Sequence, residues 1–367
     1  MKKLDEDSLI IGQLPTGCRY CTRGAKLILF VTGLCDSRCF YCPLSEEKAN
    51  KDVVFADEMP VMTDKDILLE ADAINAEGAG LTGGDPLCRP ERTVDFIRML
   101  KSHYDHAFHI HLYTSQSSAS KSVLSQLADA GLDEIRFHPQ SKNWDGLERS
   151  LDLGMEVGIE VPAMPSRIND LKNVAARAEK IGVSFLNINE LESSETNFAH
   201  LVSLGMKLRN TATSAIEGSA ETAFEAMQWA ANNLEHLSIH YCSSRFKDAV
   251  QLRNRLSRRL DNVIRKFEER DESDPLLILG VIRAPYGKKL TAKKLEDIAS
   301  TLSKSFDVPS DLMSVDYSRM RIEIAGWILE EIASELRNVL QDGENLEIGT
   351  ALEYPSWDRL QVLFEPL

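Results

Sequence analysis

No stretch of this 367-residue chain approaches the roughly 18 consecutive apolar residues that a membrane-spanning helix requires. The first residues also lack the apolar run that follows the basic start of a secretory signal, since Lys2 and Lys3 are mixed with Asp5, Glu6 and Asp7. Both absences predict a cytoplasmic protein. Internal repeats and low-complexity runs are missing as well. Positive charge is in short supply: 42 Lys and Arg stand against 57 Asp and Glu, and the net charge of −15 argues against general affinity for nucleic acid. Nor do the seven cysteines read as a disulfide framework, which belongs to short secreted chains. Their number is odd and five of them fall between Cys18 and Cys42, a crowding that points to metal. The rest is ordinary for a globular enzyme, with 43% apolar and 27% charged residues. The length suits one large domain of about 200–250 residues and a smaller one.

From Lys26 onward, short apolar strands alternate with amphipathic helices. Strands are predicted at Leu27–Thr32, Gly80–Gly83, His109–Ser115, Glu134–His138, Glu156–Val161 and Phe185–Asn189. Helices are predicted at Glu91–Tyr104, Ser120–Ala130, Leu147–Leu153 and Leu171–Ile181. Repeated βα units imply an α/β fold with a parallel sheet and right-handed crossovers. Each strand is two-faced. Ile110 and Leu112 alternate with His109, His111 and Tyr113; Ile135 and Phe137 with Arg136 and His138; Val157, Ile159 and Val161 with Glu156 and Glu160; Leu186 and Ile188 with Asn187 and Asn189. An ordinary βα barrel fills its interior with Val, Ile and Leu. The polar face therefore predicts a ligand-filled lumen, the alternative being buried polar groups that satisfy one another.

Past Asn189 the alternation fades. Glu221–Asn233 reads as a helix, Leu237–Cys242 as a short strand, Arg245–Arg270 as one long helix and Asp271–Pro275 as a linker. The tail runs strand Leu276–Arg283, helix Ala292–Phe306, strands near Leu312–Tyr317 and Met320–Ile324, helix Trp327–Leu340, then strands Leu346–Tyr354 and Leu360–Phe364. That βαββαβ order with one extra strand predicts a small ferredoxin-like α+β domain. The expected division is an N-terminal CxxC segment (1–25), a barrel with its extension (26–244), a long basic helix and linker (245–274) and the ferredoxin-like domain (275–367).

Cys35-Asp-Ser-Arg-Cys39-Phe-Tyr-Cys42 follows the first strand directly, at its carboxyl end. Three thiolates on one loop can hold three irons of a cubane and leave the fourth without a protein ligand, whereas a structural zinc loop would want four closed ligands. The CxxxCxxC spacing, with Tyr41 before the last cysteine, resembles the signature of the radical S-adenosylmethionine (SAM) superfamily. The resemblance extends to Gly83-Gly84-Asp85-Pro86, which matches the superfamily's Gly-Gly-Glu-Pro turn with Asp in place of Glu.

The resemblance spans about residues 26–190. It implies a partial (βα)6 barrel, a [4Fe–4S] cluster on Cys35, Cys39 and Cys42, and SAM held by the Gly83–Pro86 backbone. It also implies a 5′-deoxyadenosyl radical that abstracts hydrogen from substrate, and an electron donor such as ferredoxin or flavodoxin. Tyr41, Tyr113, His138, Gln140, Glu160, Asn187 and Asn189 are candidates for SAM or substrate contact. In closer detail the N-terminal region looks like archaeal radical SAM proteins described as relatives of pyruvate formate-lyase activating enzymes.

Cys18 and Cys21 form a CxxC upstream of the first strand, a second candidate metal site. Two cysteines do not complete a tetrahedral site. Cys242 with His240, or else Cys88, would have to supply the rest. An auxiliary iron–sulfur cluster, a zinc knuckle and plain buried cysteines all remain open here.

Residues 245–294 hold 14 Lys and Arg against 7 Asp and Glu. Arg255, Arg258, Arg259 and Lys266 can share a helix face, with Lys288, Lys289, Lys293 and Lys294 beyond. Such a patch could hold RNA phosphates; a solvated face with internal ion pairs is the alternative. Three alternative roles are thus open: RNA modification, protein activation or modification, and non-catalytic iron–sulfur binding, against which the Gly83–Pro86 turn speaks.

Overall fold

The computed structural model describes residues 1–340 and 346–367, which divide into two units, Met1–Arg255 and Leu256–Leu367. The first unit is built on seven parallel strands: β1 (Lys26–Phe30), β2 (Gly78–Thr82), β3 (His109–Thr114), β4 (Glu134–Phe137), β5 (Glu156–Ala163), β6 (Phe185–Glu190) and β7 (Ser238–Cys242). They lie side by side in chain order, each pairing with the next. The sheet stays open. Phe55–Ala56 adds antiparallel to β1 at one edge, and Leu9–Ile11 adds antiparallel to β7 at the other. The partial barrel expected with six strands therefore has a seventh, β7, which is the short strand expected at Leu237–Cys242.

The alternation seen in the sequence becomes two faces. Leu27, Leu29, Leu81, Ile110, Leu112, Ile135, Phe137, Ile159 and Leu186 are fully buried in one apolar core with residues of the flanking helices. Those helices end where local chemistry stops them. In Lys121–Ala130 the Ser120 side chain accepts from the Val123 amide at the start, and Gly131 takes a left-handed conformation at the end. The opposite, polar face is covered by a different element, helix α1 (Thr16–Thr22), which touches β1, β2 and β3. Residues 1–25 are thus no separate segment but an integral part of the first unit.

The single long helix expected over 245–270 is interrupted. Ser244–Phe246 is one helical turn, Lys247–Leu252 is π-helical, and Arg253–Val263 is α-helical before the chain leaves the helix. The division between the units falls inside this last helix, not at 244 or 274. The second unit carries β8 (Leu277–Arg283), β9 (Met313–Asp316), β10 (Arg321–Ile324), β11 (Glu347–Glu353) and β12 (Gln361–Pro366), all antiparallel in the order β9–β10–β8–β11–β12. Helices Ala292–Ser305 and Gly326–Val339 pack their apolar residues on this sheet. The first four strands have the ferredoxin-like arrangement, and β12 extends it.

Candidate active site

Cys35, Cys39 and Cys42 sit on the loop that leaves the carboxyl end of β1. Both ends of that loop are clamped. The Gly33 amide donates to the Lys51 carbonyl at 2.8 Å and the Asn50 amide to the Gly33 carbonyl at 2.9 Å. The Asp52 carboxylate accepts from Thr32 Oγ1 at 2.9 Å, Arg89 Nε at 2.9 Å and Arg92 Nη1 at 2.6 Å, and these bonds, Arg92 foremost, hold its carboxyl well below the usual range. Between the clamps, Ser37 Oγ donates to Ser115 Oγ at 2.9 Å and ties the loop to the end of β3.

The three thiols line a cavity of about 400 Å³ together with Gly83, Gly84 and Tyr113. Gly83-Gly84 runs directly beside the first residues of the cysteine loop: the Gly84 amide donates to the Thr32 carbonyl and the Asp85 amide to the Leu34 carbonyl, each at 2.8 Å. A Cβ at Gly83 or Gly84 would stand 2.4 Å from the Thr32 or Leu34 carbonyl oxygen, so only glycine allows this approach. Three thiols and no fourth donor on one loop suit a cluster with one open iron, and the glycine backbone on the same cavity suits a small polar ligand.

The Asp85 side chain, which stands in place of the superfamily's Glu, turns inward. It is buried and accepts from Thr114 Oγ1 at 2.9 Å, from the Ser115 amide at 2.8 Å and hydroxyl at 2.7 Å, and from the Leu87 amide at 2.9 Å. Burial raises its pKa, and the donors from Ser115, Leu87 and Thr114 work against that rise. Asp85 thus fastens the glycine turn to the end of β3. Asp85→Ala should leave these donors unpaired, costing about 2 kcal/mol of stability and weakening SAM binding. Urea unfolding and equilibrium SAM binding check both, and unchanged SAM affinity would refute the fastening role.

Three of the expected contact residues form one chain of hydrogen bonds. His138 Nδ1 is 2.7 Å from the Glu160 carbonyl oxygen, which can only accept, so Nδ1 carries the proton. Burial lowers the His138 pKa, and in the neutral ring Nε2 accepts from Tyr41 OH at 2.7 Å. Gln140 Nε2 donates to the same hydroxyl at 3.2 Å, and Asn197 Nδ2 donates to the Tyr41 carbonyl at 3.0 Å. Tyr41, standing between Cys39 and Cys42, is thereby anchored through both side chain and backbone. No sequence signal singled out Asn197. Thr114 and Ser115 could have been found as polar residues ending a parallel strand, where such sheets place their ligands.

Deeper on the polar face some of the side chains satisfy one another, as the alternative expected, while Arg136 Nη2, His111 Nδ1 and Asn187 Oδ1 have no hydrogen-bond partner. Arg136, 2% exposed, pairs with the fully buried Glu134 and with Glu160 at 2.9 Å. Asn187 and Asn189 donate to the two Glu160 oxygens at 3.0 and 2.9 Å. Burial alone would raise the Glu160 carboxyl; Arg136 and the two amides outweigh it and bring it down to about 2. The Gly17 amide of α1 donates to Glu134 at 3.1 Å. A Cβ on Gly17 would lie 2.7 Å from both Arg136 and His111, so glycine lets the helix in. Of the seven expected contact residues, Tyr41, Tyr113 and His138 line the cavity; Glu160, Asn187, Asn189 and Gln140 do not.

The basic stretch is also spoken for. Arg255 pairs with Asp57 at 3.0 Å, Lys266 with Asp311 at 3.0 Å, Arg259 donates to the Pro355 carbonyl, and Arg258 and Lys294 are partnered too. Among the described residues Lys288, Lys289 and Lys293 of the expected patch have no ion pair. The alternative of internal ion pairing therefore holds for Arg255 and Lys266.

Comparison with known proteins agrees with this geometry. The radical SAM superfamily profile matches residues 29–185. Over 337 residues, 89% of the chain and 85% of the relative, the sequence is 40% identical to a Methanocaldococcus jannaschii protein provisionally named a glycyl-radical enzyme activating enzyme. The chain belongs to the radical SAM superfamily. A radical SAM enzyme of this kind uses a [4Fe–4S] cluster and SAM as cofactors. The PqqA peptide cyclase of Methylobacterium nodulans is 30% identical over 125 residues, 34% of this chain and 30% of that one. Among solved structures, Streptococcus suis SuiB bound to SAM matches with a TM-score of 0.42 and 11% identity, covering 60% of this chain and 50% of that one. Residues 276–367 match a family described as a domain of unknown function.

Proposed function

We propose that this radical SAM enzyme acts on a protein, with Cys35, Cys39 and Cys42 holding the cluster and the Gly83–Pro86 turn holding SAM. The observation that carries the site assignment is the single cavity on which all three thiols and the glycine backbone meet. When bound, the cluster supplies the electron that splits SAM into methionine and a 5′-deoxyadenosyl radical. The chain's own part is positional. Three thiolates leave one iron free of protein ligands, the Gly83 and Gly84 carbonyls can accept from the SAM amino group, and Tyr113 and His138 bound the remaining space. Asp85 and the Tyr41–His138 bond keep these groups at fixed separation, so little reorganisation is needed when SAM arrives.

A protein substrate is favoured over RNA by the internal pairing of the basic stretch, by the net charge of −15 and by the name of the Methanocaldococcus relative. A small redox protein such as ferredoxin or flavodoxin would deliver the electron, and the cytoplasm would be the setting. No helix among the described residues is long and apolar enough to cross a membrane.

In anaerobic incubations with SAM and dithionite, a protein fraction from the host should raise 5′-deoxyadenosine formation by an order of magnitude, and total host tRNA should not. Changing Lys288, Lys289 and Lys293 together to Glu should leave that stimulation intact. Stimulation by tRNA, lost in the charge-reversed variant and at moderate salt, would transfer the assignment to RNA.

A further inference from the structure

We propose that Cys18, Cys21 and Cys242, with His240 as fourth donor, form a second thiophilic metal centre on the polar face of the sheet, separate from the Cys35–Cys42 loop. Cys18 and Cys21 lie one turn apart on α1. Cys242 and His240 lie two residues apart on β7, so their side chains leave the same face of that strand. The chain segments that meet here are more than 200 residues apart in sequence, and side-chain contacts show them meeting. The carboxamide of Gln251 bridges two of the thiols: Cys21 donates to Oε1 at 3.0 Å and Nε2 donates to Cys242 at 3.5 Å. Asn187, opposite His240 in the β6–β7 register, donates to Cys18 at 3.3 Å. Cys88, the other partner considered, lies elsewhere, accepting from Gln116 at 3.9 Å.

Two further observations separate a metal centre from plain core cysteines. His240 is 1% exposed, and neither of its ring nitrogens has a hydrogen-bond partner. A buried imidazole with both nitrogens unused is costly, and ligation would satisfy one of them. Lys26 is 5% exposed on the same face; its ammonium contacts His111 Nε2 and Tyr113 OH, both at 3.4 Å, and among the described residues no carboxylate pairs with it. A buried cation requires a compensating anion, which metal-bound thiolates would provide.

Three thiolates and one imidazole complete a tetrahedral zinc set, and the same donors can hold an iron–sulfur cluster. Among the described residues no three donors already stand at ligand distance, and that is equally true of Cys35, Cys39 and Cys42. Closing the second site requires the Gln251 amide to leave the space between Cys21 and Cys242. Gln251 sits on the π-helical turn Lys247–Leu252, a conformation often found at functional sites.

The test uses the full chain carrying Cys35→Ala, Cys39→Ala and Cys42→Ala, purified after growth with zinc and iron and again after anaerobic reconstitution. Elemental and sulfide analysis should find one metal centre per chain: zinc without sulfide, or iron with it. Adding Cys21→Ala and Cys242→Ala should remove the whole complement. Should that variant misfold, a chelator added to the triple variant should expose Cys18, Cys21 and Cys242 to alkylation while leaving Cys88 labelling unchanged. A triple variant that is folded by circular dichroism yet metal-free, or alkylation indifferent to chelator, overturns the proposal.

Discussion

Replacing Cys35, Cys39 and Cys42 together by alanine is expected to reduce 5′-deoxyadenosine production from SAM to the level of enzyme-free solution. The expectation follows from the donor count. The loop offers three thiols, the cavity they line contains no other cysteine, and a cluster deprived of all three has no protein ligand left there. The loss should be chemical and not a collapse of the fold. The loop is held by the Gly33, Asp52 and Ser37 hydrogen bonds, none of which involves a thiol. Circular dichroism and urea unfolding should therefore change little while chromatography of the reaction shows no 5′-deoxyadenosine. Turnover at the parent rate would end the assignment of this loop.

The largest stability effect should come from Arg136→Met. Arg136 pairs with two carboxylates, Glu134 and Glu160, and it also donates to Tyr113 OH at 3.2 Å. Methionine fills the space but strands the fully buried Glu134 and the mostly buried Glu160 without their counter-charge, a loss of about 3–5 kcal/mol. The pH dependence should change as well. In the parent protein the Glu160 carboxyl is held down at about 2, so its stabilisation is fully present above its ordinary value near 4.5 and fades as the pH falls toward 2. Without Arg136, burial dominates and pushes that carboxyl up, so the variant should gain stability on mild acidification where the parent begins to lose it. Urea midpoints at pH 7 and pH 4 measure both effects. A variant within 1 kcal/mol of the parent would show that Arg136 is not the counter-charge of this interior.

Which polar residues face a ligand and which face one another could not be read from alternation. His138 and Glu160 occupy the same face of adjacent strands, yet His138 lines the cavity and Glu160 is enclosed by Arg136, Asn187 and Asn189. Alternation reports only the face; depth along the strand and the presence of α1 over the lower part decide the rest. The basic stretch shows the same limit. Arg255 and Asp57 are nearly 200 residues apart, and Lys266 and Asp311 are 45 apart, so neither pairing lies within the helical reach of a local charge pattern.

The sequence by itself determined the features whose physics is local. The spacing of Cys35, Cys39 and Cys42 is set within one loop, the two-faced strands follow from a period of two, and βα alternation dictates parallel neighbours in chain order. The order of elements in the second unit likewise sufficed for its ferredoxin-like sheet. Only the tertiary structure decided that α1 covers the polar face, that Asp85 fastens the glycine turn to β3, and that Cys18, Cys21 and Cys242 approach one another. Each of these depends on contacts between segments far apart in the chain, where burial and hydrogen-bond satisfaction select the partners after the sheet has formed.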